Sequence, residues 1–112
     1  MKKLVTGVAA TLAVSFAMNA AAVDRIGFQA RERLERETAE MTENLSLSTE
    51  QSEKMLEIKS VLFASNRDAR DEFGAGSAEF NEARKTNMRA FQQELQDTLT
   101  EDQLKKHRAS RS

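Results

Sequence analysis

Histidine and cysteine, the side chains most used as catalytic nucleophiles, bases and transition-metal ligands, are almost absent from this chain. Its 112 residues include one histidine, His107, and no cysteine. Without cysteine there is no thiol nucleophile, no thiolate metal site and no disulfide framework. A single imidazole is too few for a histidine-based catalytic triad with a separate metal ligand. We therefore expect no metal site and no cofactor.

The carboxylates that come closest to a catalytic pattern are Asp68, Asp71 and Glu72. Residues three or four apart share one face of a helix, so this group could hold a cation or act as an acid–base pair. Arg67 and Arg70 alternate with these carboxylates in the sequence, which favours a solvated surface of ion pairs. We predict that the protein is not an enzyme and has no catalytic residue.

The composition indicates a helical protein. The chain has no proline, its only aromatic residues are six phenylalanines, and 31% of its residues are charged. Proline is the strongest helix breaker, and a β-sandwich needs aromatic and β-branched residues in alternation. An all-α fold is therefore predicted. The net charge of −1 gives no electrostatic reason to expect a nucleic-acid partner.

Residues 1–22 have the pattern of a secretory signal peptide. Lys2 and Lys3 give a basic start, residues 4–18 are mainly apolar, and three alanines end the segment. An uncleaved membrane anchor is the weaker alternative, because about 15 apolar residues fall short of the roughly 20 that a spanning helix needs. We predict cleavage after Ala22, no stable membrane insertion, and an exported domain over residues 23–112.

Helices are predicted over residues 24–44, 48–71, 78–98 and from 100 onward, because apolar side chains recur there at helical spacing. Gly74 and Gly76 mark a tight turn, so the second and third helices should form a long antiparallel hairpin. The expected fold adds an N-terminal helix and a short C-terminal helix to this hairpin. Roughly 20 large apolar side chains remain for the core of residues 23–112, which is thin for that length and favours a homodimer.

One motif of the form Leu-(Ser/Thr)-x-x-Gln occurs twice. A hydroxyl residue followed three positions later by Gln is typical of a capping box, in which side chain and backbone at a helix start satisfy each other. Each copy therefore predicts a helix N-terminus. Leu104 should add a hydrophobic staple to the second copy. The motif residues, predicted as structural caps, are Leu47, Ser48, Gln51, Leu99, Thr100 and Gln103.

The paired motifs, together with the signal sequence, resemble the Spy/CpxP family of periplasmic proteins, which is named for paired Leu-Thr-x-x-Gln motifs. The resemblance extends over residues 26–104. It implies an all-α, cradle-like fold and an antiparallel dimer of helical hairpins. The chain departs from the family pattern at Ser48, which replaces threonine but keeps the hydroxyl, and in its shorter last helix. The lone His107 argues against the zinc-associated and metal-sensing branches of that family.

The resemblance implies a function in the envelope. We predict an ATP-independent periplasmic chaperone, a holdase, that binds unfolded or misfolded envelope proteins. One alternative is a regulatory protein that binds the periplasmic domain of an envelope-stress sensor kinase, and another is a structural helical protein with no client.

The predicted client-binding residues lie on the two broad apolar stripes of the hairpin helices, where flexible Met and flat Phe side chains suit many partners. The alternative for each is packing inside the hairpin or in a dimer interface. These residues are Met55, Ile58, Leu62, Phe63, Met88 and Phe91.

Overall fold

The computed structural model describes residue 23 and residues 25–111. The predicted signal peptide, residues 1–22, lies outside these described residues. Four helices follow one another, and no strand occurs in this part of the chain, so the all-α prediction is confirmed. The helices are α1 (Phe28–Leu45), α2 (Thr49–Phe73), α3 (Ala78–Thr98) and α4 (Glu101–Arg111).

The first two helices differ from the prediction at their ends. Residues 23 and 25 are helical, but Gly27 has a φ of +89°, which no right-handed helix contains, so the helix is interrupted there and α1 begins at Phe28. Ile26 lies before the helix and is nevertheless buried. The helix α2 continues two residues beyond the expected end, to Phe73, and stops at Gly74, whose φ is also +89°.

The helices α2 and α3 form the predicted hairpin. Gly74 and Gly76 have positive φ in the turn, and the Ser77 hydroxyl accepts a hydrogen bond from the backbone N–H of Phe80 at 3.0 Å. Midway along the hairpin, the side-chain amide of Asn87 donates to Asn66 Oδ1 at 3.0 Å. This bond fixes which residues of the two antiparallel helices lie opposite each other.

The helix α1 packs along α2 and has little contact with α3. Two side-chain contacts mark this seam: the hydroxyls of Thr42 and Ser52 are 2.6 Å apart, and Lys59 Nζ lies 3.4 Å from Glu37 Oε1. At the far end of the seam, a small cluster buries Ile26, Leu34 and Ala64. The three long helices therefore form a layer in the order α1, α2, α3.

The larger apolar core lies at the end of the hairpin away from the turn, where all four helices meet. Phe91 and Leu104 pack against its edge. Because the helix starts of α2 and α4 both lie at this end, the core positions the two repeated motifs. Its buried members are Met41, Leu45, Leu47, Met55, Ile58, Leu95 and Leu99.

Candidate functional site

Each repeated motif forms a complete capping box. The backbone N–H of Gln51 donates to Ser48 Oγ at 3.1 Å, and the backbone N–H of Ser48 donates to Gln51 Oε1 at 2.9 Å. The second copy makes the same pair of bonds between Thr100 and Gln103, at 3.2 and 2.9 Å. Ser48 thus serves as well as threonine, because the cap needs only the hydroxyl oxygen.

The two motif glutamines, 52 residues apart in the sequence, bind each other. Gln51 Nε2 donates to Gln103 Oε1 at 2.8 Å, and Gln103 Nε2 donates to Gln51 Oε1 at 3.2 Å. Each amide also donates to a carbonyl at the C-terminal end of another helix: Gln51 to Thr98 of α3 at 3.0 Å, and Gln103 to Leu45 of α1 at 3.3 Å. We call these two amides and the backbone groups they bind the amide junction.

The amide junction leaves no hydrogen-bonding capacity unused. A primary amide has two donors and two acceptor sites, and both glutamines fill all four with the bonds given above. The junction ties the starts of α2 and α4 to the ends of α3 and α1. Its groups are neutral amides and carbonyls, which suit structural positioning and not acid–base chemistry.

The motif leucines are buried in the larger core, on the apolar side of the amide junction. Leu47 and Leu99 are 8% and 6% exposed, and both belong to the larger core. Leu104 packs against the same core, as expected for a residue that staples the second cap. The motif residues therefore lie where the sequence predicts, at helix starts. Their direct pairing was missed, and the only signal for it was the repetition of the motif itself.

Two of the six predicted client-binding residues belong to the packed interior. Met55 and Ile58 are 0% and 3% exposed, in the middle of the larger core, and so cannot contact a client in this fold. Phe63 is half-buried against the smaller cluster, and the guanidinium carbons of Arg33 and Arg67 lie 5.6 and 5.9 Å from its ring centroid. The prediction is corrected for Met55 and Ile58, because α1 covers a face of α2 that the sequence left open. For Phe63 it stays a prediction.

The other three predicted residues lie together on the hairpin, and we call them the hairpin patch: Leu62, Met88 and Phe91. Since Asn66 is opposite Asn87, Leu62 one turn earlier is opposite Phe91 one turn later. Met88 precedes Phe91 by three residues on α3, so the two share a face. Leu62 and Phe91 are half-buried, and Met88 is 44% exposed.

Two further phenylalanines are exposed and were not predicted as binding residues. Phe28, at the start of α1, is 78% exposed, and Phe73, at the end of α2, is 42% exposed. By the same register Phe73 lies opposite Phe80, whose ring has the Arg84 guanidinium carbon 5.6 Å from its centroid. The sequence pattern places Phe73 next to a turn and gives no signal for its exposure.

The carboxylates considered for catalysis form surface ion pairs. Asp68 binds Arg25 at 3.0 Å with about half of each side chain exposed, and Asp71 lies 4.0 Å from Arg70. Within the described residues, no group of three or more His, Cys, Asp or Glu side chains has the arrangement to hold a metal ion. None of the helices described is both long and apolar enough to cross a membrane.

Comparison with protein families gives one match, to a domain of unknown function, DUF4890, over residues 17–107. Because this range is most of the chain and includes both motifs, the protein belongs to the DUF4890 family. No curated protein and no solved structure matches the chain.

Proposed function

We propose that the protein is a holdase chaperone of the periplasm that binds unfolded envelope proteins without using ATP. In this proposal residues 1–22 are a signal peptide removed on export, and the protein acts in the Spy/CpxP manner suggested by its paired motifs. The observation that supports it best is the hairpin patch, where apolar side chains reach solvent on an otherwise strongly charged surface.

The chemistry of the hairpin patch suits varied apolar segments. Met88 is unbranched and polarisable, so its side chain can adapt to partners of different shape. Its thioether accepts a long hydrogen bond from Gln92 Nε2, at 3.8 Å. The rings of Phe91 and, nearer the turn, Phe73 offer flat apolar area. Binding an unfolded client on such a surface lowers the free concentration of the unfolded state and so slows its aggregation.

The layered arrangement of α1, α2 and α3 supports a shallow, cradle-like binding face. The open face of this layer beside the patch is formed mainly by α3, since residues 54–67 of α2 are all buried or half-buried. We propose that clients lie across this face, and that the thin core is supplemented by association of two copies.

The test is suppression of client aggregation by the purified protein and by a Met88→Ser variant. Met88 is 44% exposed, so the change should leave helicity and unfolding free energy nearly as they are. We expect severalfold weaker suppression of aggregation. Phe28→Ser is the matched control, since it removes a still more exposed apolar side chain outside the patch.

Three outcomes decide the proposal. Weaker suppression with Met88→Ser and normal suppression with Phe28→Ser would support binding at the patch. Equal loss in both variants would mean that exposed apolar residues act without a defined site. No suppression by the unmodified protein at any ratio to client would refute the holdase function itself.

A further inference from the structure

The connection between α3 and α4 differs from the other two connections of the fold. Only Leu99 and Thr100 separate the two helices, and Leu99 has extended backbone, with φ −97° and ψ 151°. The α2–α3 turn, in contrast, needs two glycines with positive φ, and the α1–α2 connection passes through Ser46 at φ 55°. Ordinary residues pass from extended to helical backbone without a steric penalty.

The sequence across this connection is compatible with one continuous helix. Residues 95–104 contain neither glycine nor proline, the two residues that interrupt helices most strongly. In a continuous helix Leu104 would lie about 180° around the axis from the buried Leu95, and so on the face turned away from its own core. In a continuous helix the backbone N–H of Thr100 would bond to the carbonyl four residues earlier, in place of Gln103 Oε1.

The contacts that hold α4 join it to distant parts of the chain. Gln103 bonds to Gln51 and to the Leu45 carbonyl, 52 and 58 residues away, and Leu104 packs on the larger core. Beyond its acidic first turn, α4 also carries charge opposite to that of residues 38–52. Residues 104–111 contain four Lys or Arg and no acid, whereas residues 38–52 contain three Glu and no Lys or Arg.

We propose that two copies of this chain exchange α4, so that Gln103 and Leu104 of each copy complete the amide junction and the core of the other. Straightening Leu99 carries α4 away from its own core and leaves Gln51, the Leu45 carbonyl and an apolar surface uncovered. The α4 of a second copy restores the same bonds, which makes exchange an inexpensive route to a twofold dimer. Each junction is incomplete without the other chain.

The exchange depends on how strongly the Thr100 cap favours a break between the helices. Thr100→Ala removes the hydroxyl that accepts from Gln103 N–H at 3.2 Å and places a better helix former in the straightened form. Loss of such a cap shifts the equilibrium about tenfold per helix. Two helices are exchanged, so the dimer should bind up to about a hundredfold more tightly.

Sedimentation of the protein as the cell produces it tests this directly, with Ser48→Ala as the matched control. That variant loses the equivalent cap bond of the first motif, 3.1 Å long, but leaves the α3–α4 connection unchanged. We expect a concentration-dependent dimer that Thr100→Ala strengthens and Ser48→Ala does not. Only monomer in the unmodified protein and in Thr100→Ala, or tighter dimers with Ser48→Ala alone, would overturn the exchange of α4.

A mixing experiment distinguishes exchange from dimerisation through another surface. Gln51→Ala damages the site that receives α4, and the double variant Gln103→Ala/Leu104→Ala damages α4 itself. After unfolding and refolding together, exchanged chains form a mixed dimer with one intact junction, which native mass spectrometry detects and which melts above either variant alone. Mixed dimers without such recovery of thermal stability, or none at all, would overturn the proposal. The holdase proposal is tested separately and would stand if only monomer were found.

Discussion

The two ends of the helical hairpin are built from the same kinds of residue and behave differently. At the end with the amide junction, four helices meet and Met55 is 0% exposed. Toward the turn the layer of α1, α2 and α3 leaves apolar side chains uncovered, and Met88 and Phe73 are 44% and 42% exposed. Both methionines belong to apolar stripes at helical spacing, so the neighbours of a stripe, and not its composition, decide whether it stabilises the fold or faces solvent.

Replacing each of the two methionines by alanine tests this difference between the ends. It should give the largest change in the free energy of unfolding. Met55→Ala should lower the free energy of unfolding by about 2–5 kcal/mol, because it leaves a cavity in the core. Met88→Ala should change it by no more than about 0.5 kcal/mol. Urea unfolding followed by circular dichroism measures both values. Similar losses in the two variants would contradict the difference between the ends.

A charge placed in the amide junction should lower the free energy of unfolding somewhat less than Met55→Ala does. Gln103→Glu keeps the acceptor for Thr100 N–H but removes both donors, and it brings a carboxylate toward the Leu45 carbonyl and Gln51 Oε1. We expect a loss of about 2–3 kcal/mol in unfolding free energy, because half-buried acceptors are then left facing each other. Gln93→Glu, at an exposed position of α3, is the control and should be nearly neutral.

Phe63 lies at the seam between α1 and α2. Its half-buried ring packs on the smaller cluster beside Arg33 and Arg67, so Phe63→Ala should cost about 2 kcal/mol, less than for a fully buried ring. At a temperature where the variant stays folded, its suppression of client aggregation should match that of the unmodified protein. Reduced suppression of client aggregation by a fully folded Phe63→Ala variant would show that Phe63 belongs to the client-binding surface.

The hydrogen bonds between Gln51 and Gln103 should make the smallest contribution to the free energy of unfolding. In a double-mutant cycle, Gln51→Ala and Gln103→Ala should show a coupling energy of about 1 kcal/mol, because the two amides share two hydrogen bonds. Gln51→Ala combined with Asn87→Ala, at the middle of the hairpin, should be additive. A coupling near zero for the first pair would mean that each glutamine acts only as a cap.

Local features of this fold were predictable and long-range features were not. The caps at Ser48 and Thr100 depend on residues three positions apart, and the turn depends on two nearby glycines, so the sequence alone indicates them. Helical spacing assigns Met55 and Met88 to apolar stripes, but it does not say which helix covers each stripe. The delayed start of α1 was missed because Ile26 fits the apolar pattern although Gly27 interrupts the helix.

The separation of a client-binding end from a stabilising end is tested most directly by NMR. The spectrum of ¹³C-labelled methionine methyl groups is followed during titration with an unfolded client. The chain places Met88 in the hairpin patch and Met41 and Met55 in the core near the amide junction, so each region carries its own probe. We expect the Met88 signal to shift and broaden as client is added, while the signals of Met41 and Met55 stay in place. Unchanged Met88, or equal shifts at Met55, would contradict the separation of a binding end from a stabilising end.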